Sequence, residues 1–183
     1  MDGYLNPIRD IYIKYLFGRE ENKDLLLSFI NAVLEDTDFP LIKTVTLKNP
    51  FNYRTFIMDK ETVLDVKATD EEGNHFNIEV QAGNLEDFTN RIIFYWPKLD
   101  SNQLENGHDY ELLKPVIFIN LVDGTLFPHI KKLHTCFIIT EKENPDFVLS
   151  DHLMIHFLEM DKEMGKLKKN LDHWITYFLY EGK

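Results

Sequence analysis

Residues 61–81, ETVLDVKATDEEGNHFNIEVQ, decide the fold of this chain. Apolar and polar residues alternate on both sides of the segment DEEGN, and side chains along a strand point alternately to its two faces. The pattern therefore predicts two strands joined by a tight turn. Gly73 stands inside this turn, where the backbone often needs a positive φ.

The same alternation predicts a polar cluster on one face of the sheet. Asp65 and Lys67 share a face of the first strand, and Glu79 and Gln81 share a face of the second. Two carboxylates, a lysine and an amide then project together from a rigid sheet. A hard divalent cation such as Mg²⁺ prefers such an oxygen-rich site. Taken alone, the pattern more often means two solvated carboxylates, because exposed strand faces commonly carry them.

The composition indicates one folded domain. The chain has 183 residues, of which 44% are hydrophobic, and this length is enough for one substantial core. The formal net charge of −11 argues against a simple DNA-binding module, because no overall positive field attracts nucleic acid. It does not exclude a nuclease, since a metal ion and a local group of lysines and arginines can contact the phosphates.

The cysteine count and the hydropathy limit the class of protein further. Cys136 is the single cysteine, which excludes a disulfide within the chain and a cysteine-based zinc site. It lies in an apolar run, and we expect a buried structural thiol. We find no signal peptide and no apolar run long enough to span a membrane. The expectation is a soluble protein of the cytoplasm.

Hydrophobic periodicity assigns the remaining elements. The apolar run 116–122, VIFINLV, suits a strand that is buried on both faces of a sheet. Pro97 is expected to kink or interrupt the long helix that contains it. Helices are predicted over residues 6–17, 22–34 and 86–104, over the charged segment 161–169 and around 171–178, and further strands over 41–47, 133–140 and 154–158.

Two features outside the central strands have two interpretations each. Asp10 and Lys14 are four residues apart on the first helix. They form a surface ion pair, or one of them faces the site. Arg91 follows the second central strand closely along the chain, and it either reaches a phosphate or packs against aromatic residues.

The order of several segments resembles the PD-(D/E)XK nuclease family transposases, also called the Rpn or recombination-promoting nuclease family. The segments are DIYIKYLFG, LLLSFINAVLED, VLDVKATDEEGNHFNIEVQ, RIIFYWPKLDSNQLENGHDY, LKPVIFINLVD and IHFLEMDK. The most specific pieces are the aspartate strand followed by I-E-x-Q, then R-x-x-x-Y and Q-L-x-x-G-x-x-Y. The resemblance extends from about residue 6 to residue 174.

The resemblance implies an α/β, restriction-endonuclease-like fold, in which a mixed β-sheet is flanked by helices in a single domain, 1–183. It also implies hydrolysis of DNA phosphodiester bonds with Mg²⁺, or with Mn²⁺ in its place. By motif position Asp65 and Glu79 are the acidic residues that would hold the metal. Leu64 stands where the superfamily usually has proline, and Gln81 stands where it usually has lysine. A glutamine has no charge and cannot act as a general base.

A lysine from another position is therefore expected to supply the missing charge. Our hypothesis is that Lys67 or Lys14 stabilises the charge that develops on the phosphate. Arg91 would steady the DNA backbone, and Asp10 would join the two acids at the metal.

Two alternatives remain open at this stage. The first is a catalytically inactive relative that keeps the fold and binds DNA or protein. The second is a metal-dependent phosphodiesterase acting on RNA, which the lack of a stacked-aromatic signature disfavours. A homodimer would most easily cut both strands of a duplex. The chain ends sooner than we expect for the family. A truncated copy of the gene product or a trimmed chain would both explain this.

Overall fold

The computed structural model describes residues 10–49, 65–83, 85–101, 103–105, 107, 109–163 and 169–180. Its helices are α1 (Asp10–Phe17), α2 (Lys23–Glu35), α3 (Phe88–Ser101) and α4 (Asn170–Tyr180). Its strands are β1 (Val45–Leu47), β2 (Val66–Asp70), β3 (His75–Ala82), β4 (Val116–Asp123), β5 (His134–Thr140) and β6 (Val148–Glu159). Short 3₁₀ turns cover Glu20–Asn22 and Tyr110–Leu112.

The strands form one mixed six-stranded sheet in the order β1-β2-β3-β4-β6-β5. β3 and β6 pair with β4 in parallel, and the three outer pairs are antiparallel. β4 is buried along nearly its whole length, as the apolar run predicts, because it has strands on both sides and helices on both faces. This mixed sheet with flanking helices confirms the predicted α/β, restriction-endonuclease-like fold.

The alternation of side chains along β4 divides the core into two layers. Ile119 and Leu121 lie in the layer between the sheet and the helices α1, α2 and α4. This layer also contains the buried rings of Phe17, Phe29 and Phe178. Phe118 and Val122 lie in the opposite layer, beneath α3. Apolar burial on both faces is the main driving force for holding the helices on the sheet. The face covered by α3 is also the face that carries the polar cluster described below.

The turn between β2 and β3 forms as the sequence predicts. Gly73 has a φ of +88°, a conformation that costs a residue with a Cβ but not glycine. The Asp70 carboxylate accepts hydrogen bonds from the backbone N–H groups of Glu72 and Asn74, at 2.9 and 2.8 Å. The turn thereby fixes how the two strands pair.

The first strand is shorter than the predicted range 41–47. Only Val45–Leu47 pairs with β2. The backbone N–H groups of Lys43 and Thr44 instead donate to the carboxylate of Glu71. A side chain, and not a neighbouring strand, therefore holds the residues before β1.

The last strand and the segment after it also differ from the prediction. β6 begins at Val148 and not at residue 154, because its polar first half forms a hairpin with β5 and lacks a clear apolar period. Residues 161–163 are not helical. Lys162 closes a turn there, with its ammonium bound to the buried carboxylate of Glu159. The rest of the predicted charged helix, residues 164–168, lies outside the described residues.

The bounds of the remaining elements agree with the predictions within a few residues. The expected interruption at Pro97 is wrong, because α3 is continuous there: one missing backbone donor leaves the other hydrogen bonds of the helix in place. The predicted start of the first helix, residues 6–9, lies outside the described residues, as do residues 50–64. Among the described helices, none combines the length and the apolar character needed to cross a bilayer.

A chain of hydrogen bonds connects the end of α2 to β5 and β6. His134 Nδ1 lies 2.6 Å from the Asp36 carboxylate, and His134 Nε2 lies 3.1 Å from His156 Nδ1. His156 Nε2 lies 3.8 Å from Cys136 Sγ. The Asp36 carboxylate accepts the hydrogen bond that His134 Nδ1–H donates, and the two imidazole rings share the next bond of the chain.

Burial determines the protonation of His156 and Cys136 in this hydrogen-bond chain. It lowers the pKa of His156 to about 3, and the neighbouring His134 lowers it further, against the opposing effect of Asp36. Burial raises the pKa of the Cys136 thiol to about 11, so the thiol stays protonated. Cys136 is only partly buried, because β5 is an edge strand. This corrects the expectation of a buried thiol.

We predict that stability falls as the pH drops below about 6.5. In that range His156 is protonated in the unfolded chain, whereas in the folded chain it stays neutral down to about pH 3. The free energy of unfolding therefore decreases by up to about 1.4 kcal/mol for each pH unit. Urea unfolding between pH 7 and pH 4.5 measures this slope. His156→Leu should flatten it, and His152→Leu, a partly exposed histidine on the same strand, should not. Equal slopes in the two variants would contradict the prediction.

Candidate active site

The register of β2 with β3 brings the two predicted acidic residues together. Val66 pairs with Ile78, and Lys67 pairs with Asn77. Continuing this register by one residue sets Asp65 opposite Glu79. Directly opposed residues of an antiparallel pair share one face of the sheet, with Cβ atoms about 5 Å apart. Both carboxylates therefore project on the face that α3 covers.

Asp65 is held through its backbone carbonyl, which leaves its carboxylate for other contacts. The carbonyl oxygen accepts hydrogen bonds from Lys14 Nζ at 2.9 Å and from Asn49 Nδ2 at 3.0 Å. Its carboxylate Oδ2 lies 3.4 Å from Lys67 Nζ. Its Oδ1 is buried and has no hydrogen-bond partner among the described residues. A buried carboxylate oxygen without a partner is costly, and a cation beside it would remove that cost.

Asn49 positions this strand end, and sequence reasoning missed it. The backbone N–H of Lys48 donates to the carbonyl of Lys67 at 2.8 Å, beyond the paired residues of β1 and β2. The Asn49 side chain extends this hydrogen bonding by one step along β2. Its Oδ1 accepts a hydrogen bond from the Lys67 N–H at 2.7 Å, and its Nδ2 donates one to the backbone carbonyl of Asp65. The only sequence signal is an amide residue shortly after a predicted strand.

Lys14 is buried beside Asp65 and does not lie on the surface. Its side chain is buried, and its ammonium contacts the carbonyl of Asp65. Burial lowers the pKa of Lys14, the Asp65 carboxylate partly restores it, and the charge of Lys67 lowers it again. The expectation that Lys14 lies on the surface is therefore wrong. The side chain of Asp10 lies outside the described residues, so its place at the metal remains a prediction.

Arg91 connects α3 to the second acidic residue. Its Nη2 donates to Glu79 Oε1 at 2.8 Å and also to Gln81 Oε1. Its guanidinium lies 5.1 Å from the centroid of the Phe88 ring. Arg91 thus packs on an aromatic ring and contacts the site at the same time. Its predicted contact with a DNA phosphate remains a prediction.

The donors present fit a hard divalent cation. The described residues contain no group of three or more histidine, cysteine, aspartate or glutamate side chains arranged to hold a metal. Mg²⁺ does not require three, because it is usually bound by one or two carboxylates and completed by water and phosphate oxygens. Asp65 and Glu79 supply two carboxylates, and Asp65 Oδ1 is a buried oxygen in need of a partner.

Comparison with known proteins agrees with this geometry. The sequence profile of the PD-(D/E)XK nuclease family transposases matches residues 7–183. The chain belongs to this family. Membership makes it a nuclease-type protein and implies a DNA substrate. No curated protein and no solved structure shows significant similarity to it. The matched region of this PD-(D/E)XK nuclease family transposase includes every residue of the site described above.

We predict that Asn49→Ala destabilises the protein by about 1–3 kcal/mol. The variant loses two hydrogen bonds and leaves the N–H of Lys67 without its acceptor. Urea unfolding at neutral pH measures the change. Asn144→Ala, in the exposed loop between β5 and β6, is the matched control and should change stability by less than about 0.5 kcal/mol. A loss of stability no larger than in the control would show that Asn49 does not hold the strand end.

Proposed function

We propose that this chain is a metal-dependent DNA endonuclease that hydrolyses phosphodiester bonds and acts in transposition or recombination. The observation that carries the proposal is the placement of Asp65 and Glu79 opposite each other on adjacent strands of a rigid sheet. Family membership supports the reaction class. An enzyme that acts on cellular DNA works in the compartment that contains it, which we take to be the cytoplasm.

Asp65 and Glu79 would hold Mg²⁺, with Mn²⁺ able to replace it. When bound, such a cation lowers the pKa of a coordinated water and polarises a phosphoryl oxygen. The protein contributes a fixed donor set, because Lys14 and Asn49 both anchor the carbonyl of Asp65. Preorganised groups stabilise a transition state without a cost of rearrangement at the moment of reaction. Asp10 remains a candidate third donor, supported only by its position on α1.

The two lysines take different roles in this proposal. Lys67 lies on the site face, is more than a third exposed and contacts the Asp65 carboxylate, so its charge can reach a phosphate. Lys14 is buried against the Asp65 carbonyl and therefore positions that residue. Gln81 orients water or a phosphate oxygen, since an amide cannot take the proton of the attacking water at neutral pH.

Local cations oppose the negative charge of the chain at the site. The chain as a whole carries −11, yet Lys14, Lys67 and Arg91 all contact residues of the site. Arg91 is 43% exposed and neutralises Glu79, and we propose that it also contacts the DNA backbone. Two copies of the chain would cut the two strands of a duplex.

We predict that purified protein nicks or linearises supercoiled plasmid when Mg²⁺ or Mn²⁺ is present. Asp65→Asn and Glu79→Gln keep the side-chain shapes but remove the charges that bind the cation. Each should lower the cleavage rate by at least about 100-fold. Glu72→Ala, an exposed carboxylate in the β2–β3 turn, is the control and should cleave like the wild type.

Two results would overturn this proposal in different ways. Cleavage that persists in Asp65→Asn and Glu79→Gln would place the active site elsewhere. A folded wild-type protein that cleaves with neither metal would favour the non-catalytic alternative. A binding assay with the same plasmid would then ask whether the chain is a DNA-binding module.

We predict that Lys67→Met lowers the cleavage rate by about 100-fold while leaving Mn²⁺ affinity within a few-fold of the wild type. The lost charge acts on the transition state and not on the cation. Lys48→Met removes an exposed lysine close to Asn49 and serves as the control. Full activity in Lys67→Met would remove Lys67 from the mechanism without affecting the roles of Asp65 and Glu79.

A further inference from the structure

Asn120 carries a third oxygen on β4, the strand that pairs with β3 next to Glu79. Asn120 is the one amide in the apolar run of β4. Its side chain is completely buried, and its Oδ1 has no hydrogen-bond partner among the described residues. Leaving a buried amide oxygen without a donor is unfavourable, and a cation beside the oxygen would remove that cost.

The register of the parallel ladder places Asn120 next to Glu79. Glu79 and Asn120 are paired residues of β3 and β4. Paired residues point to the same face of a sheet, and Phe118 and Val122, two positions on either side, lie beneath α3. Asp65, Glu79 and Asn120 therefore form one row across three adjacent strands, on one face. Neighbouring strands are about 4.8 Å apart, so short side chains in this row can approach a common cation.

The amide of Asn120 has a defined orientation. Its Nδ2 donates to the backbone carbonyl of His156 on β6 at 2.9 Å. This bond identifies which amide atom is the nitrogen and orients that nitrogen toward β6. The oxygen is thereby kept as a fixed, uncharged acceptor. An amide oxygen is a suitable donor for a hard divalent cation.

We propose that Asn120 Oδ1 is a third oxygen donor of the divalent-cation site, on the β4 side of Glu79. The proposal rests on the proposed function, because it assigns Asn120 to the same cation as Asp65 and Glu79. Asn120 adds an oxygen without adding charge. It thereby completes a donor row that contains only two carboxylates among the described residues.

Another buried polar atom provides a comparison. Thr135 Oγ1 also lacks a hydrogen-bond partner among the described residues and lies in the same row, on β5. Phe157 of β6 stands between Thr135 and Asn120 in the ladder. Thr135 is therefore too far from Glu79 to share its cation. Thr135→Val removes a buried oxygen of the same kind at a position where no effect on the cation is expected.

The test measures Mn²⁺ affinity by electron paramagnetic resonance, without DNA and independently of cleavage. Asn120→Leu should weaken the affinity by about 10–100-fold, which is typical for the loss of a group that supports a metal. Asn120→Asp should tighten it by at least about fivefold, because a carboxylate replaces a neutral donor. Thr135→Val should stay within about twofold of the wild type. Circular dichroism establishes that each variant is folded.

The outcomes separate this inference from the proposed function. If Asp65→Asn loses Mn²⁺ while both Asn120 variants bind like the wild type, the assignment of Asn120 is overturned and the two-carboxylate site stands. If the wild type binds no Mn²⁺, both are overturned. Should Asn120→Leu fail to fold, Asn120→Asp decides, since unchanged or weaker affinity in that variant contradicts the proposal.

Discussion

A shift of one residue between β2 and β3 would move every side chain of β2 to the other face of the sheet, because side chains alternate along a strand. The site depends on this register. Three contacts hold it: the Asp70–Gly73 turn at one end, the apolar pairing of Val66 with Ile78, and the Asn49 side chain at the other end. Together these contacts favour the register in which Asp65 and Glu79 face each other.

The two faces of the sheet carry polar groups of different kinds. Beneath α3, the cluster around Asp65 and Glu79 leaves buried oxygens without partners. On the opposite face, His134 and His156 form a continuous chain of hydrogen bonds from Asp36 to the thiol of Cys136. A structural network requires such satisfied hydrogen bonds, whereas the oxygens of Asp65 and Asn120 that lack partners lie on the strand positions on either side of Glu79, where we propose a cation.

Most of the fold and the placement of Asp65 opposite Glu79 could be predicted from the sequence. Asp65 and Glu79 were identifiable because a period of two and a turn signal determine which residues share a face. Asn49 and Asn120 were not, since their contacts connect elements that only tertiary structure brings together. Likewise, β1 is shortened by Glu71, a residue that is distant along the chain and whose side chain replaces a strand partner.

The most direct test of this account is a crystal structure of the wild-type chain with Mn²⁺ and a short DNA duplex, measured for anomalous scattering. We predict an anomalous peak within about 2.5 Å of carboxylate oxygens from both Asp65 and Glu79. A peak bound at other residues, or well-ordered DNA with no peak beside these two carboxylates, would contradict the central claim that they hold the cation.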